Sequence, residues 1–126
     1  MSAAFVDSSV LVAVALDEAA APDVKRRLAS FALVHASPLL EAELASVCRR
    51  EGRGASAGLL RPLRWVTVPR ALTPEIARVL GAGYVRGADC YHLATALYLS
   101  PDPSKLTFLT NDKRQREVAQ SLGFGV

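Results

Sequence analysis

Two short apolar runs in this chain end on an aspartate and pass straight into a helix-favouring segment. Ala4-Phe5-Val6 is followed by Asp7-Ser8-Ser9. Leu106-Thr107-Phe108-Leu109-Thr110-Asn111 is followed by Asp112 and the polar stretch Lys113 to Leu122. A strand that feeds directly into a helix leaves its last side chain at the carboxyl edge of a sheet, where open α/β folds bind ligands. Either aspartate alone could simply cap the helix after it. Two at the same edge point to one shared acidic site.

Other acids are placed to join them. Asp89 lies in the first turn of an apolar helix, one turn before Leu93. That position aims it near the buried side, at the helix end whose dipole favours an anion. A carboxylate so close to a core stripe is costly unless a cation meets it, and a local ion pair with Arg86 is the simplest alternative. Glu41 and Glu43 flank the apolar stripe Leu40, Leu44 and Val47. Periodicity does not choose between them; Leu39, which widens the apolar face on the side of Glu43, tilts the reading that way. Carboxylates converging in a partly dry site repel one another. A hard divalent ion such as Mg²⁺ or Mn²⁺, which prefers oxygen ligands, removes that cost and can activate water for attack at phosphorus. The chemistry implied is metal-dependent hydrolysis of a phosphodiester.

The elements that must position these groups alternate. Strands are expected at Ala3–Val6, Phe31–Ala36, Trp65–Val68 and the run before Asp112, with Gly123–Val126 as a possible last one. Helices are expected from about Val10, capped by Ser8 or Ser9, and over Asp23–Ser30. Further helices are expected from Ser37-Pro38 to about Glu51, over Ala55–Arg61, Thr73–Leu80 and Arg86–Leu99, and from Lys113. Such alternation predicts a parallel sheet covered on both faces.

With 126 residues the chain is expected to form one domain over residues 1–126. Half the residues are hydrophobic and about a fifth charged, which excludes a disordered chain. The net charge of +3 is compatible with a nucleic-acid partner without requiring one. Cys48 and Cys90 lack metal-ligand spacing and read as buried free thiols of a reducing compartment. The start of the chain lacks the order of a secretory signal, and no apolar run approaches membrane-spanning length, so a cytoplasmic protein is expected. The runs Lys25-Arg26-Arg27, Arg49-Arg50-Arg53 and Lys113-Arg114-Arg116 could follow a nucleic-acid backbone, although such runs are usually solvated faces. The last is favoured because it begins beside Asp112. His92 reads as core rather than as a base, and Trp65, Tyr91 and Tyr98 read as packing rather than as stacking platforms. A phosphoacceptor domain would want a second acid beside or two after Asp7, where Ser8 and Ser9 stand.

Four stretches in order carry a resemblance: Phe5-Val6-Asp7-Ser8-Ser9, Ser37-Pro38-Leu39-Leu40-Glu41-Ala42-Glu43-Leu44, Ala88-Asp89-Cys90-Tyr91-His92-Leu93-Ala94-Thr95-Ala96, and Phe108-Leu109-Thr110-Asn111-Asp112-Lys113. Together they resemble a PIN domain, and among PIN domains the VapC-type toxins of type II toxin–antitoxin systems. The resemblance implies an α/β/α sandwich with a mostly parallel sheet. It implies a Mg²⁺- or Mn²⁺-dependent endoribonuclease acting on RNA, usually a homodimer and usually neutralised by a VapB-like antitoxin. The family's acids fall on Asp7, Glu43, Asp89 and Asp112, as catalytic and metal-holding residues. Ser9 and Thr110 match its hydroxyl residues, with Asn111 beside them in support, and Lys113, Arg114 and Arg86 would meet the RNA. One departure stands out: many relatives carry a further acid a few residues after the last aspartate, where this chain has Gln115 and Arg116. A catalytically inactive PIN-like module acting through a protein partner is the alternative.

Overall fold

The runs Ala3–Val6 (β1), Leu33–Ala36 (β2), Arg64–Trp65 (β3) and Thr107–Leu109 (β4) form one sheet in the order β3-β2-β1-β4, all parallel, in a computed structural model that describes residues 2–54 and 57–126. β1 is central and pairs with both β2 and β4, aligning Phe5 with His35 on one side and with Phe108 on the other. Both faces of β1 are covered, which is why Ala4, Phe5 and Val6 are all fully buried and the strand reads as a continuous apolar run rather than an alternation.

The helices are Ser8–Ala15 (α1), Ala21–Ala29 (α2), Leu39–Arg50 (α3), Ala57–Leu60 (α4), Thr73–Ala82 (α5), Gly87–Leu99 (α6) and Lys113–Leu122 (α7). Successive side chains of β1 point to opposite faces. Phe5 packs with Phe108, Leu93, Leu97, Val79 and Val118 against α5, α6 and α7. Ala4 and Val6 pack with Val10, Leu11, Leu40 and Leu44 against α1 and α3. The result is an α/β/α sandwich, as expected. The Phe5 and Phe108 rings stack 5.7 Å apart across neighbouring strands. α6 is buried at seven positions from Cys90 to Leu97, polar His92 and Thr95 included, as a helix walled in by a sheet and a neighbouring helix must be.

Because β2 and β3 lie to one side of β1 and β4 to the other, the chain reverses its direction of travel at β1. The carboxyl ends of β1 and β4 therefore flank a topological switch point, where parallel sheets leave a crevice. Asp7 and Asp112 follow those two strands.

Several boundaries differ from the sequence expectation. β3 covers Arg64–Trp65 rather than residues 65–68, because β2 turns into α3 after Ala36; the Val66 amide still donates to the Ala36 carbonyl at 2.9 Å. Phe31 and Ala32 lie outside β2, with the Phe31 amide closing the end of α2 on the Leu28 carbonyl. α1 begins at Ser8, so neither Ser8 nor Ser9 caps it; Asp7 holds that position in extended backbone. α2 begins at Ala21, ahead of Pro22. The possible last strand reduces to one bridge, Thr107 with Gly125. α7 ends on Gly123 at φ 105°, a left-handed turn that brings Phe124 back into the core beside Phe108. Of the helix expected over residues 55–61, Ala55 and Ser56 lie outside the described residues. No helix among the described residues is long and apolar enough to cross a membrane.

Candidate active site

Asp7 follows β1 and is nearly inaccessible, at 3% exposure. Its carboxylate makes no cap bond to α1. It accepts instead from the Ser9 hydroxyl at 2.6 Å and from the Thr110 hydroxyl at 2.8 Å, one on each oxygen. Burial is the strongest influence on this carboxyl and pushes its pKa above the ordinary 3.8. The two hydroxyls and the His92 ring pull it back, and the charge of Asp89 pushes it up further.

The end of β4 is tied to the start of α1 by the same hydroxyls. The Asp7 amide extends the β1–β4 ladder to the Leu109 carbonyl at 3.1 Å. The Asn111 amide donates to Ser9 Oγ at 2.9 Å, and the Asn111 side chain reaches the Ser9 carbonyl at 3.3 Å. Thr110 Oγ1 accepts from the Asp112 amide at 3.0 Å. Asp112 does cap its helix: Oδ1 accepts from the Gln115 amide at 2.8 Å. Among the described residues only Oδ1 is engaged in this way, and the residue is exposed.

Gln115 is fully buried. Its Oε1 lies 3.0 Å from the Thr110 hydroxyl and its amide donates to the Asp89 carbonyl at 3.2 Å, so it braces the start of α6 against the end of β4. The residue that departs from the family's acidic pattern is thus a neutral strut. The sequence signal for it was the departure itself, a polar side chain at an inward position of α7.

Asp89 sits half-buried in the first turn of α6, and its carboxyl is also pushed up, first by burial and then by the nearby charge of Asp112. Glu43 adds to the rise; His92 and Arg86 oppose it. No salt bridge to Arg86 forms among the described residues. From α3, Glu43 reaches His92: Oε1 lies 2.5 Å from Nε2, and this contact is the main reason the Glu43 carboxyl falls below its ordinary value. Glu41 is exposed and lines a separate cavity with Arg49 and Arg53. The inward stripe of α3 is Leu40, Leu44 and Cys48, with Val47 half-buried. His92 is core, as its sequence position suggested, at 1% exposure. It is also the group that holds Glu43 towards the site, a role that spacing alone could not reveal. Its other nitrogen, Nδ1, is buried without a hydrogen-bond partner among the described residues. An Nε2–H donating to the carboxylate leaves Nδ1 a bare acceptor.

The cationic candidates divide. Lys113, Arg114 and Arg86 are exposed at the rim; Arg114 also pairs with Glu117 at 3.4 Å, and Arg86 and Arg114 line a cavity of about 300 Å³ with Tyr84, Val85, Asp89 and Asp112. Arg116 is turned towards the Thr110 carbonyl, at 2.9 Å. In the more distant runs Arg26 pairs with Asp23, and Arg50 pairs with Glu51 at 3.2 Å, as solvated faces do. Trp65 and Tyr91 are more exposed than packing residues should be, at 39% and 37%, whereas Tyr98 lies against the core with Arg70 over its ring. Cys48 and Cys90 are buried free thiols, and burial pushes the Cys90 thiol up, away from nucleophilic chemistry.

The donors at this edge are all carboxylate oxygens. None of Asp7, Asp89 and Asp112 is in a salt bridge among the described residues. Carboxylates without an ion-pair partner of this kind suit a hard cation rather than a thiophilic one. The side chains stand apart, however: no three histidine, cysteine or acidic groups among the described residues are gathered closely enough to hold an ion as they are.

A sequence profile of the PIN domain matches residues 4–121. No protein of curated function matches the chain. PIN domains are generally nucleases that hydrolyse phosphodiesters, and PIN nucleases generally use divalent metals. The match runs through all four acid-bearing stretches and the parallel sheet that carries them, and the chain belongs to the PIN domain family.

Proposed function

We propose that this chain is a Mg²⁺- or Mn²⁺-dependent endoribonuclease, the VapC-type toxin of a type II toxin–antitoxin pair, built as one PIN domain over residues 1–126. The observation that carries the reading is that a polar network ties the four acid-bearing segments together at one sheet edge: Thr110 holds Asp7, Gln115 links Thr110 and the Asp112 cap to the first turn of α6, and His92 of that helix holds Glu43. In support, burial first, and then the charge of neighbouring carboxylates, raises the carboxyls of Asp7 and Asp89. Asp7, Glu43, Asp89 and Asp112 would hold the ion, which when bound supplies an activated water and offsets the charge of an in-line attack at phosphorus. The Ser9 and Thr110 hydroxyls fix the direction of both Asp7 oxygens, and Asn111 ties Ser9 in place. Lys113, Arg114 and Arg86 at the rim would meet RNA phosphates. A cytoplasmic homodimer silenced by a VapB-like antitoxin completes the proposal.

Replacing Asp7 or Asp89 with Asn is expected to abolish Mg²⁺-supported cleavage of RNA while far-UV circular dichroism stays native. Cleavage by the Asp89→Asn protein at the wild-type rate would sink the assignment. One observation favours a second reading, a non-catalytic module acting through a protein partner: the acids are not drawn together into a ready coordination shell among the described residues. Titration with Mn²⁺ separates the two. A rise in melting temperature that Asp89→Asn removes supports the nuclease; no rise at millimolar Mn²⁺ supports the module.

A further inference from the structure

Among the large hydrophobic side chains left in solvent, Tyr84 stands out at 72% exposure, against 48% for Leu80, 39% for Trp65 and 37% for Tyr91. A single exposed aromatic is ordinary on a protein surface. What is not ordinary is how firmly its backbone is held. At Gly83 a Cβ would lie 3.0 Å from Val118 Cγ2 and 3.4 Å from Arg114 Nη2, so the chain passes tight against α7 just before the tyrosine. The Tyr84 carbonyl accepts from Arg114 Nε at 3.0 Å. Val85, just after it, is buried at 5% exposure. The ring is therefore presented to water by a fixed backbone, which lowers the entropy lost when a ligand covers it. Tyr84 also lines the cavity of about 300 Å³ whose other walls include Arg86, Arg114 and the two site carboxylates Asp89 and Asp112.

We propose that this cavity is a subsite for an unpaired nucleobase of the RNA, stacked on the Tyr84 ring beside the cleavage site, with Arg86 and Arg114 meeting the adjoining phosphates. The proposal rests on the ribonuclease reading above. An aromatic face takes a base of any sequence, and guanidinium groups bind phosphate oxygens or stack on bases in turn. A base inside a duplex stack cannot reach such a platform, so the subsite selects a nucleotide splayed out of a loop or single strand.

The test is cleavage of a short single-stranded RNA in Mg²⁺, with kcat/KM measured for wild type and for Tyr84→Ala, Tyr84→Leu and Tyr84→Phe. Tyr84→Ala is expected to lower kcat/KM by about 5- to 100-fold, the range that base–aromatic stacking supplies, and Tyr84→Phe to keep it near wild type. Repeating the measurement with an abasic nucleotide at each position in turn locates the partner. At one position the abasic substitution should cost the wild type the same factor and cost Tyr84→Ala nothing. Melting temperatures equal to wild type show that the variants are folded. Unchanged kcat/KM in Tyr84→Ala or Tyr84→Leu overturns the subsite, and so does a loss that is equal at every abasic position. If Tyr84→Ala cuts normally but loses binding to another protein, the ring belongs to a protein interface and the proposal falls. If the wild type cuts no RNA, the ribonuclease reading fails first, and that result is distinct because no kcat/KM exists to compare.

Discussion

Thr110 shows how much one side chain can carry. Its hydroxyl lies 2.8 Å from Asp7 Oδ2 and 3.0 Å from Gln115 Oε1, and it accepts from the Asp112 amide. A hydroxyl has one proton, so it donates fully to one of the two oxygens. The carboxylate is the better acceptor when ionised, because a charge-assisted bond is roughly twice as strong as a neutral one. Thr110→Val keeps the shape and removes the hydroxyl, leaving an Asp7 oxygen short of its donor and the Asp112 amide short of its acceptor. It should lower stability by about 1–3 kcal/mol in urea unfolding, and Thr110→Ser should recover most of that. A valine variant as stable as wild type would mean that the hydroxyl is not part of the scaffold. Asp89 works in the opposite sense, since burial and neighbouring carboxylates hold its carboxyl above 3.8.

At the scale of elements, the site is a junction of α1, α3, α6, α7 and the ends of β1 and β4, joined by polar rather than apolar contacts. His92 of α6 meets Glu43 of α3, and Gln115 of α7 meets both Thr110 and the first turn of α6. The Gln115 strut is neutral and fully buried among acids, so its charge state matters more than its size. Gln115→Glu would place a carboxylate against the Asp89 carbonyl and close to Asp7. Taking up an uncompensated buried charge costs about 3–5 kcal/mol, or the group stays protonated instead. The variant should therefore be much less stable than wild type at pH 7 in thermal melts without metal, and should recover as the pH falls. A Gln115→Glu protein that melts like wild type at pH 7 would show that a cation or water reaches this position.

At the scale of the whole molecule, the ionised Asp7 and Asp89 work against the fold, whereas Glu43, held down by His92, does not. For Asp89 the folded pKa lies above the 3.8 of the free side chain, so between those values the folded protein binds more protons than the unfolded chain. Stability then falls as pH rises through that window. Asp89→Asn should consequently melt above wild type at pH 7, with the gap narrowing as the pH falls through that window. Added Mg²⁺ should narrow the gap at pH 7 by stabilising the wild type alone. A lower melting temperature for Asp89→Asn at pH 7 would mean that the carboxylate stabilises the fold. The opposite sign applies at Glu75, which the Arg70 guanidinium holds down to about 2; it stabilises above the ordinary 4.5 and loses that effect as the pH falls towards 2.

Much of this protein was legible in its residues. Apolar runs such as Ala4-Phe5-Val6 specify buried parallel strands, because side chains covered on both faces cannot alternate with polar ones. An aspartate after two such runs specifies a carboxyl-edge pair, and the PIN resemblance followed from four stretches in order. Boundaries were less legible: β3 stops at Trp65 because its partner turns away at Ala36, a fact that belongs to another segment. Local propensity cannot see where a neighbouring strand ends. The same holds for contacts across the site. That Thr110 holds the second Asp7 oxygen, that His92 is both core and the partner of Glu43, and that Tyr84 is thrust into solvent at the rim all depend on groups 49 or more positions apart, or on packing against α7. Sequence sets which groups exist and which face of its own element each occupies. Only the closed fold, by fixing the register of the strands and the packing of the helices, decides which of them meet.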